Sequence, residues 1–363
     1  MLNRLIPLVL VAVCGLSWLP AWAQLVGGLE WSTQSPPDQR MLLNIAASPQ
    51  TVVIVGAEGL ILRSSDGENW QIVSSPIADE LSVVTYFGGL FVVGGRSQSI
   101  LVSYDEGLSW QQRQLPPADT FVLRIQSIVY FDNAWLLSDS NGRILRSIDL
   151  VNFEEIAPTV PFNYRYLIMA NSNLLVSWNV YPPPSDPLAP PFIERSTDGA
   201  VWHHLPHPLD QRWNRIIVDP QRLLVSGRLE VGEDNWIAAT ATTSDGDSWE
   251  IIPTASEVST SLLLLGASSF SYLARDRHFG DPVQWSLLHS NDLAHWDQVL
   301  PLATDRYWAA TRWRGGWMAI SRDTIVRGQM PPAQAVPLGS AWAWTVLALL
   351  LMMVALCWGR TAR

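Results

Sequence analysis

A phrase that returns six times constrains this chain more than any other feature. "SSDGENW", residues 64–70, sets a hydroxyl, an aspartate, a glycine and a tryptophan at fixed offsets. Ser64, Asp66 and Trp70 are followed by Ser103, Asp105 and Trp110, then by Ser147, Asp149 and Phe153. Ser196, Asp198 and Trp202, then Thr243, Asp245 and Trp249, and finally Ser290, Asp292 and Trp296, extend the series. The closing aromatics lie roughly 40 to 50 residues apart, which is the period of a radially repeated β unit. Each part of the phrase has a structural task. The aspartate and hydroxyl satisfy turn amides that no strand neighbour reaches, and the glycine takes a positive φ. The aromatic opens the next strand and buries its ring between sheets. None of these aspartates is assigned to catalysis.

Between phrases the chain reads as short β runs. "LSVVTYF", the turn Gly88-Gly89, "LFVVGG" and "SILVS" lead to Trp110, and "IQSIVYF", "NAWLLSD" and "RILRS" lead to Phe153. With the strand that carries the aromatic, each unit has four antiparallel strands. After the last phrase, "RYWAATRW", "WMAIS" and "TIVRG" supply three strands, and Trp31 stands alone near the start. The expectation is therefore an all-β, seven-bladed propeller over residues 24–328. Its blades would be four-stranded and antiparallel, with the N- and C-terminal strands closing one shared blade so that no sheet edge is left free.

The ends differ from the body. Residues 1–23 read as a secretory signal, with Arg4, an apolar run and Ala21-Trp22-Ala23 before the cut. Residues 329–340 form a Pro-rich linker. Residues 341–358 carry no charge and are long enough for a transmembrane helix of about 27 Å, and residues 359–363 form a basic tail. The trailing arginines put the body outside the cytoplasm, in the periplasm or at the cell surface. Cys14 and Cys357, the only cysteines, lie in these end segments, so the body has no disulfide and no thiolate ligand. The net charge of −10, with no lysine in the chain, argues against a nucleic-acid partner. No cofactor is implied.

"VGAEGLILRSSDGENW", Val55 to Trp70, resembles the repeat of the photosystem II assembly and stability factor family, which reads V-G-x-x-G-x-I-x-x-S-x-D-G-x-x-W. That resemblance implies an exported seven-bladed propeller that binds or assists assembly. Asp149 and Asp292 depart from it because no glycine follows them. Asp-box (BNR) repeats of this kind also occur in sialidases. That likeness implies an alternative, glycan hydrolysis, but Arg4-Leu5-Ile6-Pro7, the one run similar to the sialidase opening motif, lies in the signal. A surface adhesion module is a further alternative. Val336-Pro337, Ser340 and Trp342 resemble the I-P-T-L-S-x-W sorting signals of bacterial C-termini.

His203, His204 and His207 sit in "WHHLPHP", but neighbouring strand residues face opposite ways and no carboxylate lies beside them, so no metal site is assigned. "NVYPPPSDPLAPPF", residues 179–192, holds six prolines and reads as a stiff surface loop. A stronger signal precedes the first strand of several blades. There the sequence places Arg40, then Arg165 with Tyr166, Arg212 with Trp213, and Arg306 with Tyr307 and Trp308. Arginine forks grip carboxylates at two points, and the rings beside them stack on peptides or sugars. The expected function is thus non-enzymatic. A collar at the channel would recognise a protein segment, carboxylate-bearing, or an envelope glycan.

Overall fold

Short strands joined by tight turns bury their apolar residues by stacking sheets face to face, about 10 Å apart. A computed structural model of the chain describes residues 25–26, 29–117, 124–140, 142–156, 165–171, 174–179, 192–205, 209–218, 223–232, 235–253, 259–266, 269–276, 284–290, 297–303 and 309–329. The chain begins with β1 (Leu25–Val26) and β2 (Leu29–Gln34). Blade 1 is β3 (Leu42–Ala47), β4 (Val52–Gly56), β5 (Ile61–Ser64) and β6 (Gln71–Ile72). Blade 2 is β7 (Leu81–Phe87), β8 (Leu90–Gly95), β9 (Ser99–Ser103) and β10 (Gln111–Gln114). Blade 3 is β11 (Ile125–Phe131), β12 (Ala134–Asp139), β13 (Ile144–Ser147) and β14 (Glu154–Ile156). Blade 4 is β15 (Arg165–Asn171), β16 (Leu174–Asn179), β17 (Phe192–Ser196) and β18 (His203–Leu205). Blade 5 is β19 (Asp210–Val218), β20 (Leu223–Gly232), β21 (Asn235–Thr243) and β22 (Glu250–Pro253). Blade 6 is β23 (Ser259–Gly266), β24 (Ser269–Asp276), β25 (Gln284–Ser290) and β26 (Asp297–Ala303). The last strands are β27 (Ala309–Trp313), β28 (Gly316–Ile320) and β29 (Ile325–Gln329).

The expected fold needs correction in two respects. There are six four-stranded blades, not seven. The remaining strands form a five-stranded terminal sheet in the order β1-β2-β29-β28-β27. The extra strand arises because Leu25–Val26 folds back on β2, pairing Leu25 with Glu30, so the sheet that holds both termini differs from the repeated unit. The expected C-terminal helix over 341–358 lies outside the described residues, among which no helix is long and apolar enough to cross a membrane. Their only helical element is the 3-10 turn Ala57–Gly59.

Burial explains the composition of each strand. The middle strands "VVIVG", "SILVS" and "AWLLSD" are buried along their whole length, because a neighbouring sheet covers each face. The outer strands "QI", "QQRQ" and "EEI" are polar or exposed. Apolar clusters join each sheet to the next. Trp313, Met318 and Ile320 pack with Leu42, Ile54 and Leu62, and Val55 and Ile61 pack with Leu81 and Phe91. Trp31 is 1 % exposed, and its ring lies over Gly328 on the adjacent β29, where a Cβ would come within 2.8 Å of the ring.

One departure from the repeat is instructive. In blade 2, Gly95 stands opposite Leu81, and a Cβ there would lie 1.9 Å from the Glu80 carbonyl oxygen. In blade 3, Asp139 takes the same place opposite Ile125, and its carboxylate meets Arg143 Nε at 2.8 Å. Asp139 is 2 % and Arg143 8 % exposed, and Arg143 Nη1 also donates to the Pro116 and Pro117 carbonyls. A buried pair of this kind is held together more by the cost of breaking it than by net attraction. Asp139→Ala, which removes the close carboxylate from the buried guanidinium, should lower unfolding stability by about 3–5 kcal/mol. Asp139→Gly combined with Arg143→Leu copies Gly56 and Leu60 of blade 1 and should recover most of that loss. Urea unfolding of the three proteins checks both. Equal losses in the single and double variants would refute the account.

Candidate functional site at the inner-strand rim

The turns and the inner-strand starts lie at opposite ends of each blade. Along β8, Phe91 pairs with Ser103, which opens a turn, whereas Gly95 pairs with Leu81, where the inner strand begins. At the turn end the repeated hydroxyl and aspartate form one closed network. Ser64 Oγ donates to Asp66 Oδ1 at 3.0 Å and accepts from the Gly67 N–H at 2.7 Å. Asp66 Oδ1 accepts from the Glu68 and Asn69 N–H groups, and Oδ2 from the Asn69 side-chain amide. Ser103–Asp105, Ser147–Asp149, Ser196–Asp198 and Thr243–Asp245 repeat the hydroxyl–carboxylate bond at 2.8–3.1 Å. Trp110 and Trp202 are buried, and Trp70, Phe153 and Trp249 are partly buried. Ser290 ends β25, while Asp292 and Trp296 lie outside the described residues.

These bonds fix the charge of the turns. The Asn69 side-chain amide, then the N–H groups of Asn69 and Glu68, hold the Asp66 carboxyl well below the usual carboxylate range. The Asn152 and Val151 N–H groups do the same for Asp149, and those of Val201 and Ala200 lower Asp198. For Asp105, burial pushes upward, but the Ser109 hydroxyl and N–H outweigh it and the result is lowered. Asp245 is lowered to about 2 by the Ser248 and Asp247 N–H groups.

The opposite end carries the arginines. Every four-stranded blade has a register shift between its first two strands, close to where the inner strand starts. Such bulges re-aim side chains at rims. Arg40 is held firmly. Its Nε and Nη2 donate to Asp38 at 3.0 and 2.8 Å, and Nη1 donates to the Glu58 carbonyl at 2.9 Å. The Asp38 contact raises the Arg40 pKa, and that same arginine lowers Asp38. Arg165 and Tyr166 open β15, opposite Asn179 and Trp178. Arg212 and Trp213 lie in the shifted part of β19, between Asp210 and Arg215. Arg306, Tyr307 and Trp308 lie outside the described residues. His203 and His204 are exposed on β18, opposite Arg195 and Glu194, away from this rim.

The structure adds a pair that the sequence reading missed. Arg124 directly precedes β11, and its Nη2 donates to Glu80, which directly precedes β7 in the neighbouring blade. Arg124 Nε also reaches the Ser82 hydroxyl at 3.4 Å. Both side chains remain about one-third exposed. Arg124 has neither an aspartate nor an aromatic beside it, so a search for that pairing passed over it. The available signal was position alone, one residue before an inner strand.

Among solved structures, the chain is similar to one described as YCF48 bound to D1 peptide. The TM-score is 0.62 at 15 % identity, covering 82 % of this chain and 96 % of that one. YCF48 from Cyanidioschyzon merolae gives 0.62 at 14 % identity, covering 82 % and 98 %. The WD40 β-propeller domain of Doa1 gives 0.57 at 12 % identity, covering 83 % and 96 %. All three likenesses support a β-propeller fold. No family model matches the chain, and no curated protein matches its sequence.

The turn carboxylates generate a pH prediction. Asp245 titrates near 3.9 when unfolded and near 2 when folded. Its contribution to stability is therefore complete above about pH 4 and is lost as pH falls through 2. In urea titrations the Asp245→Asn variant should lose less stability than the parent between pH 4 and 2. Parallel curves over that window would show that the turn bonds do not act on this carboxyl.

Proposed function

We propose that this chain is a non-enzymatic binding propeller that captures a carboxylate-bearing protein segment at the inner-strand rim. The observation that carries the reading is the partly exposed Glu80–Arg124 pair, which bridges two blades at that rim. An incoming carboxylate can take the place of Glu80 on the guanidinium, exchanging one charge-assisted contact for another. Arg40, already committed to Asp38 and Glu58, serves to hold the rim in shape. Arg165, Arg212 and Arg306, with Tyr166, Trp213, Tyr307 and Trp308, are proposed to extend the same recognition around the ring. The likeness to a propeller bound to a peptide supports a peptide occupant.

Glycan hydrolysis is less well supported. A general acid must hold a proton near neutral pH. The repeated aspartates are instead kept ionised by their own turns. Export to the cell envelope remains part of the proposal, on the basic and apolar pattern of residues 1–23.

The test is the double variant Arg212→Ala/Arg306→Ala, titrated with a labelled glutamate-rich peptide and its glutamine counterpart. Each lost contact to a carboxylate is worth about 1.5–3 kcal/mol, so affinity for the acidic peptide should fall at least tenfold with the melting temperature nearly unchanged. A lowered melting temperature with unchanged affinity would mean that these arginines tie blades together and bind nothing.

A further inference from the structure

The turn end of the blades carries an unexpected surface. Of the large apolar side chains exposed among the described residues, five lie in the turns of three consecutive blades. They are Tyr104 and Leu108 in blade 2, Ile148 and Val151 in blade 3, and Val201 in blade 4, with Ile148 the most exposed at 71 %. Phe87 extends this group inward from the β7–β8 hairpin at the same end, where it stacks on Tyr130 at 4.0 Å between centroids. The turn itself does not require apolar residues there. The places of Tyr104 and Leu108 are held by Ser65 and Glu68 in blade 1, and by Ser244 and Asp247 in blade 5. The same hydroxyl–aspartate network forms in all five turns.

The charge around these side chains selects the occupant. Asp105, Asp149 and Asp198 are exposed and bonded to N–H groups and hydroxyls. All three are shifted toward the ionised form, so this surface keeps its negative charge at neutral pH. Two arginines at this end are engaged in holding turns. Arg63 Nε donates to the Glu106 carbonyl, and Arg195 pairs with Asp247. We propose that the turn face of blades 2–4 docks a cationic, apolar segment of another protein. Its leucine-like side chains would cover Leu108, Ile148 and Val151, and its lysines or arginines would meet the three carboxylates. Anionic lipid would be repelled by those carboxylates. A second copy in a two-fold contact would present the same charges to itself.

The inference is independent of the rim, because it concerns the other end of the strands. The full chain is titrated with a labelled peptide of alternating leucine and lysine, and with a counterpart carrying glutamate for lysine. The lysine peptide should bind at least tenfold more tightly and release as salt rises. Leu108→Ser/Ile148→Ser should reduce that affinity at least tenfold with an unchanged melting temperature, and Tyr104→Ser/Val151→Ser should do the same. The rim variant Arg212→Ala/Arg306→Ala should leave it unchanged. Equal binding of the two peptides, or full binding by both apolar variants, overturns the proposal. So does a concentration-dependent dimer, or capture of anionic vesicles, that the apolar variants abolish.

Discussion

The contact between a turn and the sheet before it sets the spacing of the ring. At Gly67 the turn backbone lies so close to the terminal sheet that a Cβ would come within 2.9 Å of the Trp313 ring. Gly107 approaches Val53 of blade 1 equally closely. An arginine on the third strand reinforces the contact from the other side. Arg63 donates to the carbonyl just before Gly107, Arg195 to the one just before Gly246, and Arg327 pairs with Glu68 beside Gly67. Each turn is thus a wedge bolted to its neighbour. The hydroxyl–aspartate network keeps the wedge rigid, which is why the phrase recurs.

The terminal sheet solves a different problem. A ring of sheets has no exposed edge only when its ends meet, and here β2 from the N-terminal side pairs with β29 from the C-terminal side. Because Gly328 stands where other blades carry the turn hydroxyl, β29 is free to pass beneath Trp31. By register Trp31 takes the place that Trp70 holds in blade 1, one residue before the partner of the third-strand arginine. β1 adds a short outer strand, which gives this sheet five among the described residues.

Much of this was legible in the residues. Ser64, Asp66 and Trp70 predict a turn, and the turn is there. The orphan Trp31 marks a strand in need of a partner. Beyond the blade count and the fifth strand of the terminal sheet, two things were not legible, for physical reasons. Leu150 stands where glycine is expected, which reads as a weakened copy. It nevertheless adopts φ 59°, and its side chain is buried against Val92, Val102 and Leu145. Packing on the neighbouring sheet outweighs the cost of a left-handed leucine, and no local pattern predicts that. The Glu80–Arg124 pair was hidden because its members lie 44 residues apart, in different blades. Only the register of the inner strands brings them together.

The two ends of the blades therefore face solvent with different chemistry, and the difference follows from how the repeat is built. At the turn end, every unit must supply a carboxylate to organise its own amides, so negative charge accumulates there as a by-product of folding. At the opposite end the chain needs only to pass from one outer strand to the next inner strand, and no repeated polar network constrains the residues. Arginine can be placed there freely, tethered by an acid beside it, as Asp38 holds Arg40, or in the next blade, as Glu80 holds Arg124. In a chain without lysine, every such cation is a planar fork with five donors. A fork already meeting one carboxylate is oriented before a second arrives, so little side-chain entropy remains to be lost. On the proposed reading the rim is both a structural tie and a prepared recognition surface, and which role dominates at each arginine depends on how completely its own acid satisfies it.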